Sequence, residues 1–186
     1  MRLTGGTLKN HSLIAPKGAA TRPTSEKLRQ AVFNILQHQI EESQFLDLFA
    51  GSGAMGIEAL SRGASHATFI EKHPAVLRCL RHNLANLNLL SRSTILATDA
   101  LVALKKLAKK KVVFDLIYID PPYKEETLQQ EILFFLDASA LLHSNGLIFV
   151  EVASNTTLPE LECLTLEKKR KVGSSHLFQY RKQLQT

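Results

Sequence analysis

From residue 44 onward, short apolar runs alternate with longer segments whose apolar positions recur every three or four residues. Runs of that length fit buried strands, and the longer period fits amphipathic helices. The strands predicted this way are 45–49 (FLDLF), 67–71 (ATFIE), 93–99 (STILATD), 114–120 (FDLIYID) and 146–152 (GLIFVEV). Helices are predicted between them at 53–63, 74–87, 100–110 and 125–142, with Pro74 suited to a first helical turn. Segments 161–172 and 174–184 read as a closing antiparallel pair. Upstream, residues 22–38 form a helix with Leu28, Ala31, Val32, Ile35 and Leu36 on its apolar face and Thr24 as a suitable N-cap. Lys27 and Arg29 lie off that stripe and are expected to face a ligand. Residues 1–20, with Gly5-Gly6, Pro16 and Gly18, read as a small hairpin or extended arm.

Strands alternating with helices imply a mostly parallel sheet covered on both faces. Right-handed crossovers then make it a doubly wound α/β fold. In such sheets ligands bind outside the carboxyl ends of the strands, where strand order reverses. The 186 residues suit one domain, with residues 1–22 as an arm.

Composition narrows the setting. No apolar run approaches the roughly 18 residues that span a bilayer. The first ten residues lack a signal-peptide core. A soluble, cytoplasmic chain is expected. Cys79 and Cys163 stand far apart, and the seven histidines have no metal-ligand spacing, so no metal is expected. No feature signals a dimer, and a monomer is expected. The net charge of +6 is unevenly spread: Arg2, Lys9, Lys17, Arg22, Lys27 and Arg29 face only Glu26 within residues 1–30. That arm reads as a nucleic-acid surface. The lysine clusters at 105–111 and 168–171 read as solvated surface.

Gly51, Gly53 and Gly56 spell GxGxxG between a strand and a helix, where backbone can approach a ligand closely. Glu71 follows Gly51 by twenty residues at a strand end, placed to accept from ribose hydroxyls. Together they point to a nucleoside site. A dinucleotide would bring a pyrophosphate for the loop; S-adenosylmethionine would bring an ammonium and a sulfonium. Asp47 inside the first strand suits the second, because a buried carboxylate needs a partner. Asp47 could instead cap the loop's own amides. Asp99 could reach an adenine amino group or cap the helix that follows it.

The fourth strand ends in Asp120-Pro121-Pro122-Tyr123. The Asp120 carboxylate and the Pro121 carbonyl could accept both hydrogens of an exocyclic amine. Proline adds no competing N–H. Tyr123 could stack on an unstacked base.

DLFAGSG resembles the cofactor loop of class I S-adenosylmethionine methyltransferases, and DPPY resembles their (Asp/Asn)-Pro-Pro-(Tyr/Phe) motif. With TRPTSEKLRQAVFNIL and DLFAGSGAMGIEALSRGA, the chain resembles the bacterial 16S rRNA guanine-N2 methyltransferases of RsmD type over nearly its whole length. The resemblance implies a seven-stranded sheet with an antiparallel C-terminal strand and an N-terminal hairpin. It implies S-adenosylmethionine as cofactor and 16S rRNA, in the small ribosomal subunit or an assembly intermediate, as partner. Asp47, Ala50, Gly51, Ser52, Gly53, Glu71, Asp99 and Ala100 would bind the cofactor. Asp120, Pro121, Pro122 and Tyr123 would form the catalytic corner. Lys17, Arg22, Thr24 and Arg29 would meet RNA, with Arg22-Pro23-Thr24 closing over the site. The chain departs from the family at Arg29-Gln30, usually Arg-Glu, and after Gly5-Gly6, where basic residues are usual. Other readings are a DNA adenine-N6 or protein glutamine methyltransferase, a nicotinamide-dependent oxidoreductase, and a non-catalytic RNA-binding factor.

Overall fold

The computed structural model describes residues 1–15, 25–121, 126–153 and 156–182. Its helices are α1 (Glu26–Leu36), α2 (Ala54–Ser61), α3 (Pro74–Asn86), α4 (Ala100–Lys109) and α5 (Glu126–Asp137). Its strands are β1 (Gln44–Asp47), β2 (His66–Ile70), β3 (Ser93–Leu96), β4 (Phe114–Ile119), β5 (Leu142–Ala153), β6 (Leu164–Val172) and β7 (Ser175–Lys182). They form one sheet in the order β3-β2-β1-β4-β5-β7-β6. Strands β1 to β5 run parallel, and β7 lies antiparallel between β5 and β6. The doubly wound sheet expected from the alternation is what the chain forms.

Alternate strand residues serve opposite faces. Phe45, Phe69, Leu116 and Phe149 pack with Phe33 of α1, Ile57 of α2 and Leu80 of α3. Leu46, Ile70, Ile117 and Val150 pack with Leu104 of α4 and Leu133 of α5. One segment departs from expectation. The helix predicted over 125–142 ends at Asp137, and Leu142 already belongs to β5. Leu141 and Leu142 are apolar enough for either element, but Phe114 takes them into the sheet: its N–H donates to the Leu141 carbonyl, and it pairs with Leu142.

The second departure concerns α1. Its buried residues are Leu28, Arg29, Val32, Phe33 and Leu36, a stripe turned from the predicted one toward Phe33. The Phe33 ring stacks near Phe45 with centroids 6.4 Å apart, which draws Phe33 inward and Arg29 with it. Arg29 is fully buried and is therefore not an RNA contact. Ser25, rather than Thr24, caps the helix by accepting the Leu28 N–H at 3.2 Å. Lys17, Arg22 and Thr24 lie outside the described residues, as do Pro122 and Tyr123.

Arg29 is matched by Glu58 of α2. Its Nε lies 2.9 Å from Glu58 Oε2, and its guanidinium also donates to the Arg2 carbonyl. The same carboxylate accepts the Thr4 N–H at 3.1 Å, the Thr4 hydroxyl, and Arg62 Nη2 at 2.8 Å. Ser61, at the end of α2, accepts the Thr7 N–H through its carbonyl at 2.7 Å. Its hydroxyl donates to the Gly5 carbonyl and accepts the Leu8 N–H. These bonds seat the arm on α2. The arm is a bent hairpin with one antiparallel bridge, Arg2 to Ser12, and Leu3 and Leu13 buried beneath it.

Burial works to raise the Glu58 carboxyl, but the Thr4, Arg62 and Arg29 donors outweigh it and hold it below its ordinary 4.5. Replacing Glu58 by Ala strands a buried guanidinium and is expected to cost about 3–5 kcal/mol, read as a lower urea midpoint. A depressed carboxylate contributes stability that is complete above its unfolded value and lost as pH falls through its folded one. Stability measured from pH 6 downward should therefore fall less in Glu58→Gln than in the native chain once below about 4.5. Parallel acid limbs in the two proteins would contradict the network's role.

Candidate active site

Strand order reverses between β1 and β4, which lie side by side and point the same way. Asp47 pairs in register with Tyr118, and the Leu48 N–H donates to the Tyr118 carbonyl at 3.0 Å. The two chains then leave the sheet at the same rim, one into the glycine turn and the other into Asp120-Pro121. Tyr118 lies between the two acids electrostatically. Burial raises its phenol well above the usual value, and the Asp120, Glu151 and Asp47 charges add to the rise. The phenol therefore stays protonated and donates to Glu151 Oε2 at 2.8 Å, while Ser175 Oγ donates to Oε1 at 2.8 Å. This buried strut crosses β4, β5 and β7 just below the corner. Pro121 itself is buried and Asp120 half-buried.

The glycine turn has the form its spacing predicted. Gly51 has φ +56°, and a Cβ built there would meet nothing within 4 Å, so its outer face is open to a ligand. Gly53 precedes the first turn of α2. Gly56 lies so close to β2 that a Cβ would stand 2.3 Å from the Phe69 ring. Only a residue without a side chain lets α2 pack at that distance.

Each acid near the turn has a partner in the protein. Glu71 Oε2 accepts the Gly51 N–H at 3.1 Å and Oε1 the His73 N–H at 2.8 Å. Asp47 Oδ2 accepts the Gly56 N–H at 3.0 Å. Burial pushes the Asp47 carboxyl up to about 7; the Gly56 N–H works against the rise and the Glu71 charge adds to it. Asp99 caps α4, accepting the Leu101 N–H at 3.0 Å, and Lys72 lies 3.8 Å from its other oxygen. Ala50 and Ala100 are buried behind the turn and at the start of α4, and Ser52 lies between the glycines.

The open face at Gly51, flanked by two carboxylates, fits S-adenosylmethionine: anionic side chains suit its ammonium and sulfonium, and Glu71 suits ribose hydroxyls. Among the described residues, no group of three His, Cys, Asp or Glu could hold a metal ion. No described helix is long and apolar enough to cross a membrane.

The sequence pattern did not single out the Tyr118–Glu151–Ser175 strut, nor one residue beside the glycine turn. Asn83, buried on α3, accepts the Ile14 N–H and donates to the Ile14 and Ser52 carbonyls, each at 2.9 Å. It ties the arm to the glycine turn. The only signal was an amide at position 83 in a helix otherwise apolar on that side. A cavity of about 300 Å³ lies at the opposite rim, beside Ser43, Asp115 and His143. It shares no residue with the glycine turn or the corner, and the chemistry described here does not involve it.

The family model described as "Conserved hypothetical protein 95" matches residues 1–181. "Putative rRNA methyltransferase YlbH" of Bacillus subtilis (strain 168) is 36% identical over 183 residues, 98% of this chain and 99% of that protein. "Ribosomal RNA small subunit methyltransferase D" of Escherichia coli (strain K12) is 36% identical over 159 residues, 86% of this chain and 78% of that one. The solved structure of "Putative methyltransferase yhhF" from Escherichia coli has a TM-score of 0.86 at 33% identity, covering 100% of this chain and 99% of its own.

The raised Asp47 carboxyl generates a pH prediction. A cationic ligand held by Asp47 needs the carboxylate, and ionising it becomes easier as pH rises through about 7. S-adenosylhomocysteine should therefore bind about tenfold more tightly at pH 8 than at pH 6. Asp47→Asn should bind weakly at both. Equal affinity of the native chain at the two pH values, measured by titration calorimetry, would remove Asp47 from the ammonium site.

Proposed function

The chain belongs to the family described as conserved hypothetical protein 95, the RsmD-type family its motifs resemble, and on that premise we propose that it methylates guanine N2 in 16S rRNA. Relatives named as rRNA methyltransferases match it over most of their length, which supports the broader activity, methyl transfer to rRNA. Transfer to an exocyclic amine is carried by one observation: the glycine turn after β1 and the Asp120-Pro121 corner after β4 leave neighbouring parallel strands at one rim; the choice of guanine N2 follows the family resemblance.

In this reading Asp47, Gly51, Ser52, Gly53 and Glu71 hold S-adenosylmethionine, with Asp99 and Ala100 on the adenine side. The bound cofactor supplies an electrophilic methyl group on a sulfonium. Asp120 accepts one hydrogen of the guanine amine, and the Pro121 carbonyl accepts the other. Holding both hydrogens draws the nitrogen lone pair out of conjugation and fixes its aim, which is an orientation effect. As the nitrogen–carbon bond forms, the methyl group's bond to sulfur would break and leave neutral S-adenosylhomocysteine; the amine gains positive charge, the Asp120 carboxylate opposes that charge where it develops, and the methylated amine then loses one proton to water. Tyr118, held by Glu151, stiffens the strand that carries the corner. Tyr123 stacks on the base after it leaves its helix.

Tritium-methyl transfer onto unmodified small subunits, followed by nucleoside analysis, tests the reading. N2-methylguanosine is the expected product; label in adenine or in protein would overturn it. Asp120→Ala should lower the rate by about a hundredfold or more and leave S-adenosylhomocysteine affinity unchanged. Normal methylation by that variant would reject the corner mechanism.

A further inference from the structure

The topology sorts the two lysine clusters that look alike in sequence. Helix α4 starts at the active-site rim with Asp99 and runs away from it, so Lys105, Lys106 and Lys109–Lys111 collect at the far rim. Strand β6 does the reverse. It turns into β7 through Gly173 and Ser174, and the first residue of β7, Ser175, pairs with Ala153 at the carboxyl end of β5. Lys168–Lys171 therefore climb toward the rim that carries Asp120. From β4 to β6 is three strand spacings, about 14 Å.

We propose that the β6 edge, through Lys168 and Arg170, is a phosphate-binding track for the RNA strand that carries the target base. This rests on the rRNA reading above. Lys168 pairs in register with Gln179 and Arg170 with Leu177, which packs with the α1 side of the core. Both cations thus lie on the face that holds α1, the arm and the Tyr118–Glu151 strut. Among the described residues none of Lys168–Lys171 forms an ion pair. The neighbouring acid, Glu167, is taken by Arg181. Lys169 lies over the Phe178 ring on the other face, 5.0 Å from its centroid. An edge strand rich in lysine resists pairing with another strand. A polyanion matches the charge without requiring backbone pairing, so RNA fits this edge better than a protein strand does.

The experiment compares Lys168→Gln/Arg170→Gln with Lys105→Gln/Lys109→Gln, which removes equal charge at the far rim. Binding to unmodified 16S rRNA and to small subunits is measured across salt concentration, with S-adenosylhomocysteine titration as the check on folding. The β6 variant should lose about 1.4–1.8 from the slope of log affinity against log salt, the value for two phosphate contacts. The far-rim variant should keep the native slope. Equal losses in both, or none in β6, would overturn the track. Loss confined to assembled subunits, with naked rRNA bound normally, would assign the edge to a protein partner and also overturn it. A native chain that binds neither substrate would instead sink the rRNA reading itself.

Discussion

A carboxylate with no access to water governs how this chain is put together. Glu58 gathers donors from three separate segments: Thr4 of the arm, Arg29 of α1 and Arg62 at the end of its own helix. Burying an ion is unfavourable unless its hydrogen bonds are replaced, and here the replacements come from the arm and α1 as well as from the end of α2 itself. The arm and α1 can therefore settle only where α2 already is. Since α2 begins at the glycine turn, the basic arm is referenced to the cofactor side of the sheet.

The sheet supplies the second reference. Parallel pairing of β1 with β4 brings two strand ends to one rim, and the Tyr118–Glu151–Ser175 strut braces the strands around them. The acids at the rim play two parts. Glu71 and Asp99 already accept protein N–H groups, so they hold the turn and α4 in shape whatever else they meet. Asp47 also accepts an N–H, from Gly56, but its burial still makes ionisation unfavourable, so a cation there would relieve a cost that the fold otherwise carries.

Much of this was legible in the sequence. Alternation of short apolar runs with helical stripes is local information, and it yielded the order of elements and the rim at which the glycine turn and the Asp120-Pro121 corner emerge. The glycine spacing and the strand-end acids were legible because each is tied to an element boundary. What could not be read depends on which faces meet. Arg29 looked like a surface cation, because only the Phe33–Phe45 contact reveals how α1 is rotated. Leu141 and Leu142 fit a helix or a strand equally well, and Phe114 decided between them. Asn83 joins residues 69 and 31 positions away, a separation no local pattern reports.

That asparagine also imposes a polarity. A carboxamide offers one acceptor and one donor group in fixed order, so it matches a backbone only at a residue whose N–H and C=O both turn toward it. Ile14 is that residue. Its neighbours in an extended chain point their groups the opposite way, so shifting the arm by a single residue would swap a complementary pair for a mismatched one. Length between Leu3 and Ile14 is consequently a specified quantity, and inserting or deleting one residue there is a frame error in space even where the composition is unchanged.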